Sequence, residues 1–154
     1  RSPSMEDVTS KNLAVHYMSY YRKWVPQENY YYAVKNTHFE PAETRTTGSY
    51  SKYSGLDDKL EWLHYYMMFI KYGMGRATAD AAQEVRTDKI TRDEAVKLIH
   101  LYDSEFPMQH LPDFLDYMDL DEEKFFEIID SFRSELLWQK DTNGDWSLLH
   151  QVEF

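Results

Sequence analysis

Between Asp57 and Gly75 the sequence reads DDKLEWLHYYMMFIKYGMG, and Leu60, Leu63, Met67 and Ile70 recur there at the spacing of one face of an α-helix. A strand cannot gather that set on one side, because its side chains alternate with a period of two. The spacing predicts a helix from about Asp57 to Tyr72, stopped by Gly73, with acids at its start and Lys71 at its end as the helix dipole favours. Other helices must cover it. RATADAAQEVR predicts a second helix over Ala77 to Arg86, whose Ala79, Ala82 and Gln83 side permits close approach of a neighbour. Thr91 and Glu94 match a capping box that opens a third, with Ala95, Leu98, Ile99 and Tyr102 as its buried stripe. PDFLDYM predicts a short helix after Pro112, and LDEEKFFEIIDSF another with Asp121 as its cap and Phe125, Ile128, Ile129 and Phe132 on one face. Pro26 opens a further helix over Gln27 to Asn36.

The expected fold is therefore mainly α, five to six helices with a small β element at one or both ends. At the front, LAVHYMSYY (Leu13 to Tyr21) is dense enough in apolar residues for a buried strand or the first part of a helix, and we read it as a strand. At the back, Asn143-Gly144 between two apolar segments is the short-range signature of a hairpin with a type I′ turn. Residues 1–10 carry no periodicity and read as a linker or remnant, leaving residues 11–154 as a single mainly helical domain. A strand at Leu13 to Tyr21 deprived of its sheet would pair between copies, so a homodimer is expected.

Composition narrows the partners. The 154 residues include 16% aromatics, too many for a disordered chain, and no cysteine, which removes disulfides, thiolate metal sites and cysteine nucleophiles. The formal net charge of −10 argues against nucleic acid, and no apolar run approaches the length of a membrane span. A cytoplasmic setting is the default.

Few motifs carry chemistry. Asp141, Asn143 and Asp145 are spaced like the first ligands of a calcium loop, but Trp146 stands where its glycine should be and Val152 where its glutamate should be. The six histidines show no metal-ligand spacing, and there is neither a nucleophile elbow nor a Walker loop. Two stretches stand out, one on each side of the long helix. Downstream, Gly73 and Gly75 make turns before Arg76 opens a helix, with Lys71 just upstream; backbone N–H groups and cations together suit an anion, while a plain helix stop with a surface arginine explains the same residues. Upstream, the loop over residues 37–56 is rich in Ser, Thr and Gly, and Asp57, Asp58 and Lys59 either cap the helix or orient a ligand hydroxyl.

GSYSKYSGLDDK, HYYMMFIKYGMGRATADAAQEVR, ITRDEAVKLIHLYDSEFP and FLDYMDLDEEKFFEIIDSFR closely resemble the C-terminal half of the N-acetyl sugar amidotransferases. These proteins of lipopolysaccharide and flagellar nonulosonate sugar biosynthesis belong to the PP-loop ATP pyrophosphatase superfamily. The resemblance runs from about Tyr20 to Val152. It implies an ATP-dependent amidation in which the acetamido group of a nucleotide-linked N-acetyl sugar is adenylated, pyrophosphate leaves, and ammonia from a separate glutaminase subunit gives an acetamidino group. It also implies that this chain is the C-terminal part of an α/β PP-loop enzyme, since the SGGxDS loop that binds ATP phosphates occurs nowhere in it. ATP and Mg²⁺ then belong to the N-terminal PP-loop domain, with no cofactor here and no activity from this portion alone. Under the resemblance Lys71, Gly73, Gly75, Arg76 and Arg86 are the phosphate-binding candidates, and Thr47, Tyr50, Asp58, Lys59 and His64 the substrate-binding ones. The alternative is a non-catalytic helical module that docks a partner subunit. Convergence of Lys71, Arg76 and Arg86 on one concave surface separates the two.

Overall fold

The computed structural model describes residues 2–153, which fall into two compact units, divided between His38 and Phe39. In the first unit, Ser4 caps α1 (Met5–Ser10) by accepting from the Asp7 N–H at 3.1 Å. A single turn, α2 (Met18–Tyr21), follows, and then α3 (Pro26–Asn36) with Pro26 in its first turn. The strand expected over Leu13 to Tyr21 does not form. No second strand lies beside it among the described residues, so its polar backbone groups lack sheet partners, and the chain closes a helical turn instead, with the Arg22 N–H donating to the Met18 carbonyl at 3.0 Å. Tyr17 and Tyr20 stay 77% and 85% exposed rather than entering a sheet face. The structural ground for dimerisation by strand pairing goes with it.

The second unit holds α4 (Lys59–Tyr72), α5 (Arg76–Arg86), α6 (Arg92–Tyr102), a 3₁₀ turn at Met108–His110, α7 (Leu111–Met118) and α8 (Glu122–Ser131). Two strands, β1 (Trp138–Lys140) and β2 (Trp146–Leu148), close it as an antiparallel hairpin pairing Trp138 with Leu148 and Lys140 with Trp146. The chain is thus mainly α with a small β element, with eight α-helices among the described residues; the two beyond the expected count are the short α1 and α2. Among the described residues no helix is long and apolar enough to cross a membrane.

Local rules set the ends of these elements. Asp58 caps α4 by accepting from the Leu60 N–H at 2.7 Å, and Gly73 ends it at φ +68°, a left-handed conformation that costs glycine nothing. The Thr91–Glu94 capping box forms in both directions, and Asp121 caps α8. The hairpin turn departs from expectation. Its loop spans residues 141–145, because the Asp141 carboxylate accepts from the Asn143 and Asp145 N–H groups at 2.8 and 2.9 Å and so rewards a wider turn than the two-residue type I′.

The main core joins Leu63, Phe69 and Ile70 of α4 to Leu111 and Phe114 of α7, Phe125 and Ile129 of α8, and Trp138. Trp138 fixes the hairpin to α4, donating its indole N–H to the Ile70 carbonyl at 2.7 Å. A smaller cluster, Ala81, Ala95 and Ile99, holds α5 against α6, where the small Ala81 admits the neighbour closely. Tyr65 is buried on another side of α4, so this helix is covered on two flanks, and residues 39–58 supply part of the second cover.

Candidate functional site

Residues 39–58 contain no helix or strand, yet Thr46 and Ser49 are fully buried and Ser51 and Ser54 nearly so. Buried hydroxyls and backbone must find partners, and here they find each other. The Thr46 N–H donates to the Ser51 carbonyl at 3.0 Å and the Ser49 N–H to the Thr46 carbonyl at 3.1 Å, closing a tight turn around Gly48 at φ +83°. Thr46 Oγ1 donates to the Ser54 carbonyl, Ser51 Oγ to Ser54 Oγ at 2.9 Å, and Ser49 Oγ outward to Asp80 of α5 at 2.7 Å. The loop is as internally bonded as a small element of secondary structure.

Two arginines fasten it. Arg45 makes a bidentate pair with Glu105, both contacts 2.6 Å, while also donating to the Ser49 carbonyl and lying 4.5 Å over the Tyr102 ring. The hydrogen bonds to Glu105 hold the Arg45 guanidinium above its ordinary pKa. Arg76, the first residue of α5, donates from Nε to Asp80 at 2.9 Å, and from its two terminal nitrogens to the Tyr65 hydroxyl at 3.3 Å and Ser54 Oγ at 3.1 Å. Arg76, Asp80 and Glu84 recur every four residues and so form one polar stripe along α5. Tyr50 lies at the far end of that stripe. Burial pushes its phenol well above the ordinary range, and its hydroxyl faces Glu84 without a hydrogen bond of good geometry. Burial likewise raises the Glu84 carboxyl, against the lowering influence of Tyr50, and the Asp80 charge adds to the rise.

The start of α5 already holds an anion, the carboxylate of Asp103. It accepts from the Gly75 N–H at 2.9 Å, the Thr78 N–H at 2.9 Å and the Thr78 hydroxyl at 2.5 Å, and the Ala77 N–H donates to the Gly48 carbonyl at 3.0 Å. Gly75 is needed for approach rather than for conformation, since a Cβ there would stand 2.8 Å from Asp103 Oδ1.

The opposite side of α5 is apolar. Between α5, α6 and residues 150–152 of the tail lies a cavity of about 660 Å³, walled chiefly by Phe69, Val85, Ala95, Val96, Ile99 and Val152. That volume falls within the range of small-molecule pockets. Arg86, Arg92 and His150 border it, and Thr78 and Asp103 line it near the start of α5.

The structure distributes the sequence-derived candidates among several places. Tyr50 and Arg76 share the polar stripe, with Gly75 beside it as the residue before α5. Thr47 is half-buried on the loop, accepting weakly from Gln109 Nε2 at 3.4 Å. Asp58 is a helix cap and Lys59 an exposed ion partner of Asp113 at 2.7 Å. His64 and Lys71 border a shallow groove with Tyr72 and Phe132, the Lys71 ammonium lying 5.3 Å over the Phe132 ring. Gly73 ends α4, and Arg86 stands at the cavity rim. Lys71, Arg76 and Arg86 therefore do not converge on one surface. The residues that organise the site but went unread were Arg45, Asp103, Glu105, Ser49 and Ser54. Only the Arg76, Asp80, Glu84 spacing was available to point at the polar stripe, because Asp103 and Glu105 reach α5 and the loop through the fold.

Residues 47–153 match the family model described as LPS biosynthesis protein WbpG-like, C-terminal domain. The match spans most of the chain, α4 to the hairpin included, and the chain belongs to this family of lipopolysaccharide biosynthesis. A comparison with curated proteins found no match.

Proposed function

We propose that the chain is the C-terminal, substrate-side domain of an ATP-dependent N-acetyl sugar amidotransferase that converts an acetamido group of a nucleotide-linked sugar to an acetamidino group for surface polysaccharide or flagellin sugars. ATP and Mg²⁺ would sit on the PP-loop portion and ammonia would come from a glutaminase subunit. The observation that supports the reading is the loop over residues 39–58. Long segments without secondary structure inside a compact unit are expected to serve function, and this one is fixed by buried hydroxyls and two arginine clamps before any ligand arrives. Thr47 is the group the loop would offer to a sugar hydroxyl, the Tyr50 hydroxyl being buried against Glu84. Arg76 acts as a positioning residue, holding Ser54 and Asp80 so that the loop keeps its shape.

Calorimetric titration with a UDP-linked N-acetyl sugar tests this. The expected result is saturable binding, weakened roughly tenfold by Arg76→Ala and by Thr47→Val with helical circular dichroism retained. Absence of binding by folded wild-type chain, or equal binding by all three proteins, contradicts it.

Two observations favour a second reading, a module that docks a partner subunit such as the ammonia supplier: Lys71, Arg76 and Arg86 lie on separate surfaces, and an apolar groove stands open beside α5. Tyr72 and Met74 are 59% and 56% exposed beside a groove floored by Ala79 and Ala82. Co-sedimentation with the glutaminase that is lost in Tyr72→Ser, sugar binding being absent, would favour it.

A further inference from the structure

The cavity on the apolar side of α5 has a polarity along its length. Thr78 and Arg86 both line it, and eight residues of helix separate them by about 12 Å. At the Thr78 end sits the Asp103 carboxylate, whose charge is held in place by the Gly75 and Thr78 donors. At the other end stand Arg86 and Arg92, with His150 on the tail nearby. Arg92 gives one N–H to the Glu153 carbonyl at 2.6 Å and keeps its remaining donors. Arg86 is exposed, and among the described residues its guanidinium makes no hydrogen bond or ion pair. Between the two ends the walls are hydrocarbon and offer a water molecule few partners, so the interior favours an apolar guest.

We propose that this cavity binds an amphipathic anion, a medium-length hydrocarbon chain bearing one carboxylate or phosphate head. The charges set its orientation. Asp103 repels an anion at the inner end, so the hydrocarbon lies along α5 and α6 and the head emerges at Arg86 and Arg92, where a charge-assisted pair forms. Residues 150–152 of the tail form the outer wall. Val152 packs onto the cluster of Ala81, Ala95 and Ile99, and its carbonyl lies 2.7 Å from His100 Nε2, so the wall is held by side chains of the same two helices, α5 and α6, that supply the floor. The site is distinct from the polar loop and does not rest on the sugar reading.

Titration of the whole chain with decanoate, decyl phosphate, decanol and decyltrimethylammonium tests the proposal. One equivalent of either anion should bind, roughly five- to tenfold more tightly than decanol, and the cation should not bind. Arg86→Gln should lower the anions to the affinity of decanol while leaving decanol unchanged, and Ala82→Phe, which places a ring in the cavity, should remove binding of all. The stronger of the two anions identifies the head group. Equal affinity for anion and alcohol, unchanged anion binding in Arg86→Gln, non-saturating uptake, or no binding by folded wild-type chain would each overturn the assignment. Arg86 is an exposed rim residue, so its variant decides the matter even where Ala82→Phe does not fold.

Discussion

One helix, α5, separates two regions built on opposite principles. Its Arg76, Asp80 and Glu84 stripe meets a loop whose hydroxyls are buried and bonded, whereas its Thr78, Ala82 and Val85 side opens on an apolar cavity. The polar side gains rigidity from directional bonds, each costly to break because the orphaned partner remains buried. The apolar side is held by contact alone and leaves space unfilled. A site that must be preformed for a polar ligand belongs on the first side, and a site that takes up hydrocarbon belongs on the second.

The largest effect is expected where the two regions meet. Asp103→Ala strands the Gly75 and Thr78 donors at the start of α5 and should cost roughly 3 kcal/mol in urea unfolding. Gly75→Ala, pressing a Cβ against that carboxylate, should lose about 1–3 kcal/mol. A similar loss for Arg86→Ala at the cavity rim would break the contrast.

Next come paired changes on the two sides. Ser49→Ala takes a donor from the Asp80 carboxylate and leaves the buried Ser51 N–H without its acceptor, and should destabilise by about 1–2 kcal/mol. Ala82→Leu adds hydrocarbon to existing space and should be neutral or stabilising by up to about 1 kcal/mol, read from the same denaturation curves.

Glu84 sharpens the comparison through pH. Burial raises its carboxyl, Tyr50 opposes the rise and the Asp80 charge adds to it, so the folded chain holds this proton more tightly than the unfolded chain does. Its contribution to stability is complete below the ordinary carboxylate pKa and is lost as pH rises through the raised folded value. Glu84→Gln should therefore flatten that decline in a series of melting curves. The smallest effect belongs to Lys59→Ala. Its partner Asp113 has a carboxyl held below its ordinary pKa by Lys59, but both side chains are exposed, and no resolvable change in unfolding midpoint is expected.

What the sequence made legible was local. Helical spacing placed α4, Thr91 and Glu94 announced the box that opens α6, Asp121 capped α8, and Asn143-Gly144 announced a hairpin. The four motifs that suggested lipopolysaccharide sugar biosynthesis all lie within the stretch that matches the family, whereas the resemblance over Tyr20 to Thr46 lies outside it. Errors arose where a long-range or unexpected partner decided the outcome. Leu13 to Tyr21 found no strand to pair with, and Asp141 used its carboxylate to widen a turn that sequence reads as two residues. Gly75 and Arg76 left an anion pocket and a plain helix stop both open, because nothing in the intervening sequence shows that Asp103 returns to that helix start.

The central claim is that the loop over residues 39–58 is a built part of the domain, and amide hydrogen exchange reads this directly. The account predicts that the Thr46, Ser49 and Ser51 amides, bonded to the Ser51 carbonyl, the Thr46 carbonyl and Ser49 Oγ, exchange about as slowly as the interior amides of α5, and that Arg76→Ala speeds all three while sparing α8. Exchange of those amides at the rate of an unstructured chain would contradict it.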